Sequence, residues 1–481
     1  MAKIILIEPA TETREGVMRI LASIGSNKIN WKFAPIDLLG IGGILRKNGF
    51  EDFLILDALN LELSHQQTKE YIEKEKPELV VFIFTIYTID NDMKVATMAK
   101  QVSKEIKTMA VNFAAESYSG SIMNDFMDLD FLAYHEPEYP VMDIIKADFN
   151  PENVAGIYYR KTGKIYKNPE KPLLNLDDIG IMTHDKIPLH IYRSPYQKRT
   201  PMSSTSFSRG CINMCAHCIG KYLSLYNGGH MRFKTVDNCI EELHFLEKLG
   251  VKELRLFDSE LNADLDWSNE LFDRIISEKI DITYSCNLRA DNINEQFLMK
   301  LKKSGCHLVS IGFDSVSQEI LDNMKKNLTV KQITDSVNLV KKIGLRFSTF
   351  TTFGHKGETK QTMLDTIKMI KKINPDMASF TLAVPILGTE FYDFLKKNKY
   401  LDENATLKTY DPNYHPVYSY PNLSSKEMYE YAMYGYRSFY FRPAYILKRL
   451  FHSSNLINDF KYLGYFIQRY VFEPLKIKKV D

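Results

Sequence analysis

Ser203-Ser204-Thr205-Ser206-Phe207-Ser208-Arg209-Gly210-Cys211-Ile212-Asn213-Met214-Cys215-Ala216-His217-Cys218 leads from a strand-like run into three crowded cysteines. Their spacing is CxxxCxxC, and they follow the carboxyl end of a Ser203 to Phe207 strand, where parallel α/β barrels carry their active sites. Soft thiolates bind iron-sulfur clusters or zinc, and both usually take four ligands. Three clustered cysteines therefore leave one metal position open. A zinc site built from Cys211, Cys215, Cys218 and His217 or His230 is the competing reading, although zinc ribbons favour paired CxxC units.

Downstream of the cysteines, helical and strand patterns alternate. Val236, Ile240, Leu243 and Leu246 repeat at helical spacing and stop before Gly250, a helix-ending residue. Strands are expected at Glu253 to Phe257, Ile282 to Cys286, His307 to Ile311, Leu345 to Thr352 and Ala378 to Val384. With Ser203 to Phe207 this makes about six strand-helix units, which suits an incomplete parallel barrel. Upstream, Ile4 to Ile7, Phe53 to Leu56, Leu79 to Phe84, Met109 to Phe113 and Phe131 to Tyr134 are strand candidates. Helix-length stretches such as Pro35 to Lys47 and Asp90 to Lys107 separate them, the pattern of a doubly wound, Rossmann-like parallel sheet.

Between these halves, Gly156 to Arg160 and Lys164 to Tyr166 predict a β-hairpin turning at Thr162-Gly163. Pro169, Pro172, Pro188 and Pro195 then punctuate a linker without sustained period. The expected organisation is a Rossmann-like domain at 1–147, hairpin and linker at 148–195, a barrel core at 196–402 and a helical C-terminal region at 403–481. The tail is rich in aromatic and basic residues. It fits a helical cap on the barrel or a peripheral contact with a membrane or apolar substrate.

A formal charge of +2 gives no global field for steering onto a polyanion, so no nucleic-acid partner is expected. No run reaches the ~18 apolar residues of a spanning helix, and Met1-Ala2-Lys3 enters the first strand directly, so a cytoplasmic location is expected. Cys239 shares a helix with the apolar stripe, and Cys286 and Cys306 flank strands. All three are expected to be core residues.

These features resemble the radical S-adenosylmethionine (SAM) superfamily, and the resemblance extends well beyond the cysteines. Phe257-Asp258-Ser259-Glu260 matches the family's acidic element after its second strand, where a carboxylate contacts the SAM amino group. Ser285 to Asp291 resembles the third-strand motif, which implies that Arg289 partners the SAM carboxylate. Gly312-Phe313-Asp314-Ser315 resembles the fourth-strand Gly-x-Glu-Ser element, with Asp314 in place of glutamate. Gly354-His355-Lys356-Gly357-Glu358-Thr359 is similar to the Gly-x-Pro-Gly-Glu-Thr turn, and Pro385-Ile386-Leu387-Gly388-Thr389 to the Pro-x-x-Gly-Thr ending. His217 stands where many relatives carry an aromatic residue beside the adenine. The cofactor-binding set so implied is His217, Asp258, Glu260, Arg289, Asp314 and Pro385, with Cys211, Cys215 and Cys218 holding a four-iron four-sulfur (4Fe-4S) cluster.

The N-terminal half is similar to the cobalamin-binding domain of one large subclass. The similarity lies in Ile36 to Gly49, Ile55-Leu56-Asp57-Ala58, Lys76 to Val81 and the linker's Asn175-Leu176-Asp177-Asp178. Asn112-Phe113-Ala114-Ala115-Glu116 replaces the Gly-Gly turn of relatives, and no Asp-x-His-x-x-Gly motif surrounds His65 or His135. A retained fold without the cofactor is thus the alternative to cobalamin binding.

The resemblance implies reductive SAM cleavage to a 5′-deoxyadenosyl radical, with cobalamin-dependent methylation of an unactivated carbon ranked first. Radical oxidation, cyclisation or rearrangement without cobalamin comes second. It further implies a reductant such as flavodoxin or ferredoxin and a small-molecule or lipid substrate. A methylthiotransferase needs three further cysteines in its N-terminal domain, and none precedes Cys211.

Overall fold

Ile4–Glu8 (β1) is a run of apolar residues closed by one acid, and all five of its residues are buried, as the middle of a sheet covered on both faces demands. The computed structural model describes residues 3–11, 16–19, 25–27, 31–112, 119–218, 220, 230–404, 416–451, 464 and 467. Phe53–Asp57 (β2), Leu79–Ile83 (β3), Lys107–Asn112 (β4) and Phe131–Tyr134 (β5) join β1 in parallel in the order β2-β1-β3-β4-β5. The chain reverses its winding between β1 and β3, so the crevice at their carboxyl ends is the natural ligand site of this sheet.

The expected hairpin forms as Ile157–Lys161 (β6) and Lys164–Lys167 (β7). Thr162 and Gly163 both have positive φ, 49° and 77°, as a two-residue turn matched to strand twist requires. β6 pairs antiparallel with β5, so the hairpin extends the first sheet to seven strands instead of standing apart with the linker. The expected Asp90 to Lys107 helix is shorter. It divides into Ile89–Asp92 and Lys94–Val102, and β4 already begins at Lys107. Asp92 causes the break: its buried carboxylate accepts the Thr85 N–H and the Thr88 hydroxyl, tying the first turn to the end of β3.

The linker crosses the Ile36–Lys47 helix through short 3₁₀ turns. A Cβ on Gly42 would stand 2.3 Å from Thr183 Oγ1, and one on Gly43 would stand 2.6 Å from the Ile179 carbonyl oxygen. Two glycines inside a helix cost propensity, and this contact between backbones is what they allow.

The second sheet consists of Met202–Thr205 (β8), Glu253–Leu256 (β9), Thr283–Leu288 (β10), Cys306–Gly312 (β11), Arg346–Phe353 (β12) and Met377–Leu382 (β13). They pair in parallel in sequence order. This is the expected incomplete barrel. Leu254, Leu256, Cys286, Leu288, Val309, Ile311, Phe347 and Phe353 pack with the surrounding helices in one core, which also contains Cys239 and Cys306. Strand alternation therefore sends Ser204, Arg255, Ser285, Asn287, Ser310 and Ser348 to the opposite, lumen face. Ser425–Tyr440 lays Met428, Ala432, Met433 and Phe439 against the same core, and a Cβ on its Gly435 would sit 2.8 Å from the Phe380 ring. The tail thus begins as an outer helix on β13. Its later residues lie mostly outside the described set.

The carboxyl ends of the two sheets abut. Phe257, just after β9, meets Phe33 edge-on at 5.2 Å, and Leu387, after β13, packs against the first sheet's core. Between them Arg209 is buried and pairs with Glu138 at 2.6 Å and Glu136 at 3.0 Å, both just beyond β5. Arg232 also pairs with Glu136. Desolvation alone would lower the Arg209 pKa, yet the two carboxylates hold it above its ordinary value, so the guanidinium stays charged. Glu138→Ala removes one partner of a buried pair and should lower stability by about 3–5 kcal/mol. Urea unfolding of the anaerobic protein checks this, and a loss under 1 kcal/mol would refute the clasp.

Candidate active site

The cysteine loop begins where β8 ends, and β9 braces it. Asp258 accepts the Phe207 N–H at 3.0 Å and the Ser208 hydroxyl, fixing the turn that launches the loop. Burial pushes its carboxyl up to about 6 despite those bonds, and Oδ2 has no partner among the described residues. Glu260 accepts the Ile212 N–H at 3.2 Å, the Asn213 amide and the Cys211 thiol at 3.1 Å. Both acids therefore face the loop itself.

Cys211, Cys215 and Cys218 are each partly exposed. Donors already point at two sulfurs: Asn213 N–H lies 3.4 Å from Cys211 Sγ, and Gly220 N–H lies 3.3 Å from Cys218 Sγ. Backbone N–H groups aimed at sulfur are what cluster thiolates accept. A Cβ on Gly220 would meet Cys218 Sγ at 3.3 Å and Cys211 Cβ at 3.6 Å, so this position keeps the space between two cysteines open. Desolvation raises all three thiol pKa values, Cys215 to about 11, so these thiols keep their protons at neutral pH until a metal displaces them. Among the described residues no three His, Cys, Asp or Glu side chains converge tightly enough for a single ion.

Ala216 anchors the loop's second half, donating to the Met324 carbonyl at 2.8 Å and accepting from Phe391 N–H at 2.9 Å. His217 meets His355 edge-on at 4.6 Å, and burial lowers its pKa to about 4, so the ring is neutral. Asp314 is paired with Lys326 and accepts the Thr352 hydroxyl at 2.8 Å. Despite desolvation, the Lys326 ammonium and these contacts hold its carboxyl down at about 2. A Cβ on Gly312 would come within 3.0 Å of Lys326 Nζ. Glycine here leaves the cation room at the end of β11.

Arg289 directly follows the carboxyl end of β10. It pairs with Asp291 at 2.8 Å and donates to the Lys326 carbonyl at 2.6 Å, so it fixes the segment that carries Lys326. Lys326 was not legible in the sequence: Met324-Lys325-Lys326-Asn327 looks like a solvated charge run. The fold separates the two lysines. The Lys325 side chain is 56% exposed and that of Lys326 is 11% exposed. Pro385 is buried in the turn after β13, well placed to shape the barrel mouth. His230 is exposed, outside this group.

Along the lumen and its mouth, Ser204 Oγ, Arg255 Nη1, Asp258 Oδ2, His217 Nδ1 and His355 Nε2 are buried without a partner among the described residues. Buried polar atoms are rarely left unsatisfied, and a chain of them fits a polar ligand held inside the half-barrel. At the first sheet's switch point, Arg19 pairs with Glu8 at 2.8 Å and Asp92 at 2.6 Å, a triad without a sequence motif. Thr85, Asn112 and Asp37 line a small cleft beside it. Of the turn expected at Asn112 to Glu116, only Asn112 is among the described residues.

A three-thiol loop over a polar half-barrel defines a class of cluster-dependent α/β enzymes. Residues 205–370 match the model of the radical SAM superfamily. Over 95% of its length it is 27% identical to an uncharacterized methyltransferase of Pyrococcus horikoshii, 96% of which is covered. The radical SAM methyltransferase TsrM from Kitasatospora setae, solved with tryptophan and aza-SAM, superposes with a TM-score of 0.66 at 16% identity, covering 92% of this chain and 84% of TsrM. The cobalamin-dependent SAM radical enzyme OxsB, solved with aqua-cobalamin and SAM, gives a TM-score of 0.73 at 12% identity, covering 98% and 71%. Both likenesses span the two sheets. The chain thus shares the two-sheet fold of TsrM and OxsB.

Asp314→Ala strands the Lys326 ammonium in a buried site and should cost about 3–5 kcal/mol. Lys326→Met added to Asp314→Ala should restore at least half of that loss. A double-mutant cycle by urea unfolding measures the coupling, and simple additivity would contradict it.

Proposed function

We propose that this chain is a cobalamin-dependent radical SAM methyltransferase acting on an unactivated carbon of a small molecule. The observation that carries the reading is the placement of three thiols at the mouth of a polar-lined half-barrel abutting a second sheet's ligand edge. Cys211, Cys215 and Cys218 would hold a 4Fe-4S cluster, leaving one iron for the amino and carboxylate groups of SAM. When bound, the cluster would supply the electron for reductive cleavage of SAM, and cobalamin would supply a methyl carrier.

The remaining work belongs to the protein. Asp258 and Glu260 hold the thiol loop in place, and the unpartnered Asp258 Oδ2 is available to an ammonium group. Lys326, steadied by Arg289 and balanced by Asp314, supplies positive charge beside the cysteines for a carboxylate. His217 and Pro385 would flank the adenine, with His355 behind His217. A neutral His217 adds no repulsion toward the SAM sulfonium. Burial of Ser204, Asp258, Asp314 and His355 limits water in the lumen, as a carbon radical and a reducing cluster both require.

At the first sheet, Thr85, Asn112 and the Arg19 triad offer hydrogen-bonding groups at the switch point, matching the amide-fringed rim of a corrin. Relatives named as methyltransferases support the methylation reading. A small reductant such as flavodoxin or ferredoxin would deliver the electron. Radical oxidation or cyclisation without cobalamin is the second reading.

Anaerobically reconstituted protein with dithionite or flavodoxin should release 5′-deoxyadenosine from SAM, and Cys215→Ala should reduce this at least 100-fold while abolishing the cluster's visible absorbance. Cobalamin added during refolding should copurify at about one per chain. Methyl-labelled SAM should then label it. A colourless, single-zinc protein with no SAM cleavage would overturn the reading.

A further inference from the structure

A second site lies at the opposite end of the barrel. Thr283, Cys306, His307 and Arg346 stand at the amino ends of β10, β11 and β12, and with Asp376, just ahead of β13, they line a cleft of about 650 Å³. The far wall comes from the Pro443–Phe451 helix, through Tyr445, Lys448 and Arg449. The cysteine loop follows the carboxyl end of β8, so the two sites are separated by roughly the 20 Å length of a six-residue strand.

Its charge is one-sided. Lys198, Lys302, Arg346, Lys448 and Arg449 line the cleft against a single carboxylate, Asp376. That carboxylate lies 3.2 Å from Lys448 and 3.9 Å from Arg346, so it is shared between two cations. In a chain whose overall charge is only +2, five cations around one cavity are a local concentration.

A polar group is also held in reserve. The register of β10 against β11 steps from Tyr284↔Cys306 to Ser285↔Leu308, which makes His307 the extra residue of a bulge. Bulges re-aim side chains. His307 donates or accepts through Nε2 at 2.8 Å from Glu253, its side chain is 8% exposed, and its Nδ1 has no partner among the described residues. A buried ring nitrogen lining this cavity has lost water without gaining a bond, a cost that a ligand atom would remove.

We propose that this cleft binds a phosphate- or pyrophosphate-bearing organic anion at a site separate from the SAM and cobalamin sites. Lysine and arginine supply charge-assisted donors for phosphate oxygens, and His307 Nδ1 adds a hydrogen-bonding contact. The volume is that of a small-molecule site and exceeds the need of one phosphate, while Tyr445 and Leu345 offer surface for the carrier. The carrier is either a soluble phosphoester or a phospholipid headgroup presented by a bilayer.

The probes are inorganic pyrophosphate and phosphatidylglycerol vesicles, applied to the cluster-loaded full chain with saturating SAM. Pyrophosphate should bind once per chain by calorimetry, and the double variant Lys198→Gln/Lys448→Gln should weaken binding at least tenfold with its melting temperature within 2–3 °C of the parent, as exposed substitutions predict. Vesicle binding that pyrophosphate competes and the variant loses identifies a lipid headgroup. Pyrophosphate binding without vesicle binding identifies a soluble phosphoester. No saturable pyrophosphate binding, or equal affinity in parent and variant, overturns the proposal. The cysteine-loop residues are unchanged in the variant, so retained SAM cleavage separates failure of this site from failure of the radical SAM reading.

Discussion

The Arg209 guanidinium, two residues ahead of Cys211, is buried between two carboxylates that follow β5. Arg209 cannot be moved without stranding its charge, and neither can Glu138. The pairing is what fixes the cysteine loop relative to the edge of the first sheet. Packing of Phe33 on Phe257 reinforces that placement with apolar contact.

A second constraint acts within the barrel. Apolar residues alternate with serine, asparagine and arginine along β9 to β12, so this part of the sheet has an apolar outer face and a polar inner one. A barrel closed for stability alone would fill its lumen with branched aliphatics. Leaving polar atoms such as Ser204 Oγ and Arg255 Nη1 unsatisfied costs stability, and a bound polar ligand offsets it. The acids after β9 follow the same logic. Asp258 and Glu260 are placed to hold backbone N–H groups of the loop, since irregular backbone at a strand end has no ladder to satisfy it.

The two ends of the barrel then divide the labour. At the carboxyl ends, loops of low regularity converge on three sulfurs. At the amino ends, strand starts, a bulge and the last described helix converge on basic side chains. The tail's basic and aromatic composition, which gave no function in isolation, gains one from this placement, because Tyr445 and Lys448 face the strand starts.

The strand pattern, the two-sheet plan, the hairpin turn and the cysteine trio were legible in the sequence, because period-two apolar alternation and three soft ligands at short spacing are local signals. Lys326, the Arg209 clasp, the Arg19 triad and the amino-end cleft were not. Each joins residues dozens of positions apart or selects one lysine from a run, and only tertiary packing decides which charge is taken out of water and which neighbour it then needs. Tertiary packing also turned Arg289 onto Asp291 and the Lys326 carbonyl, since a flexible cation settles on the nearest acceptors the fold supplies.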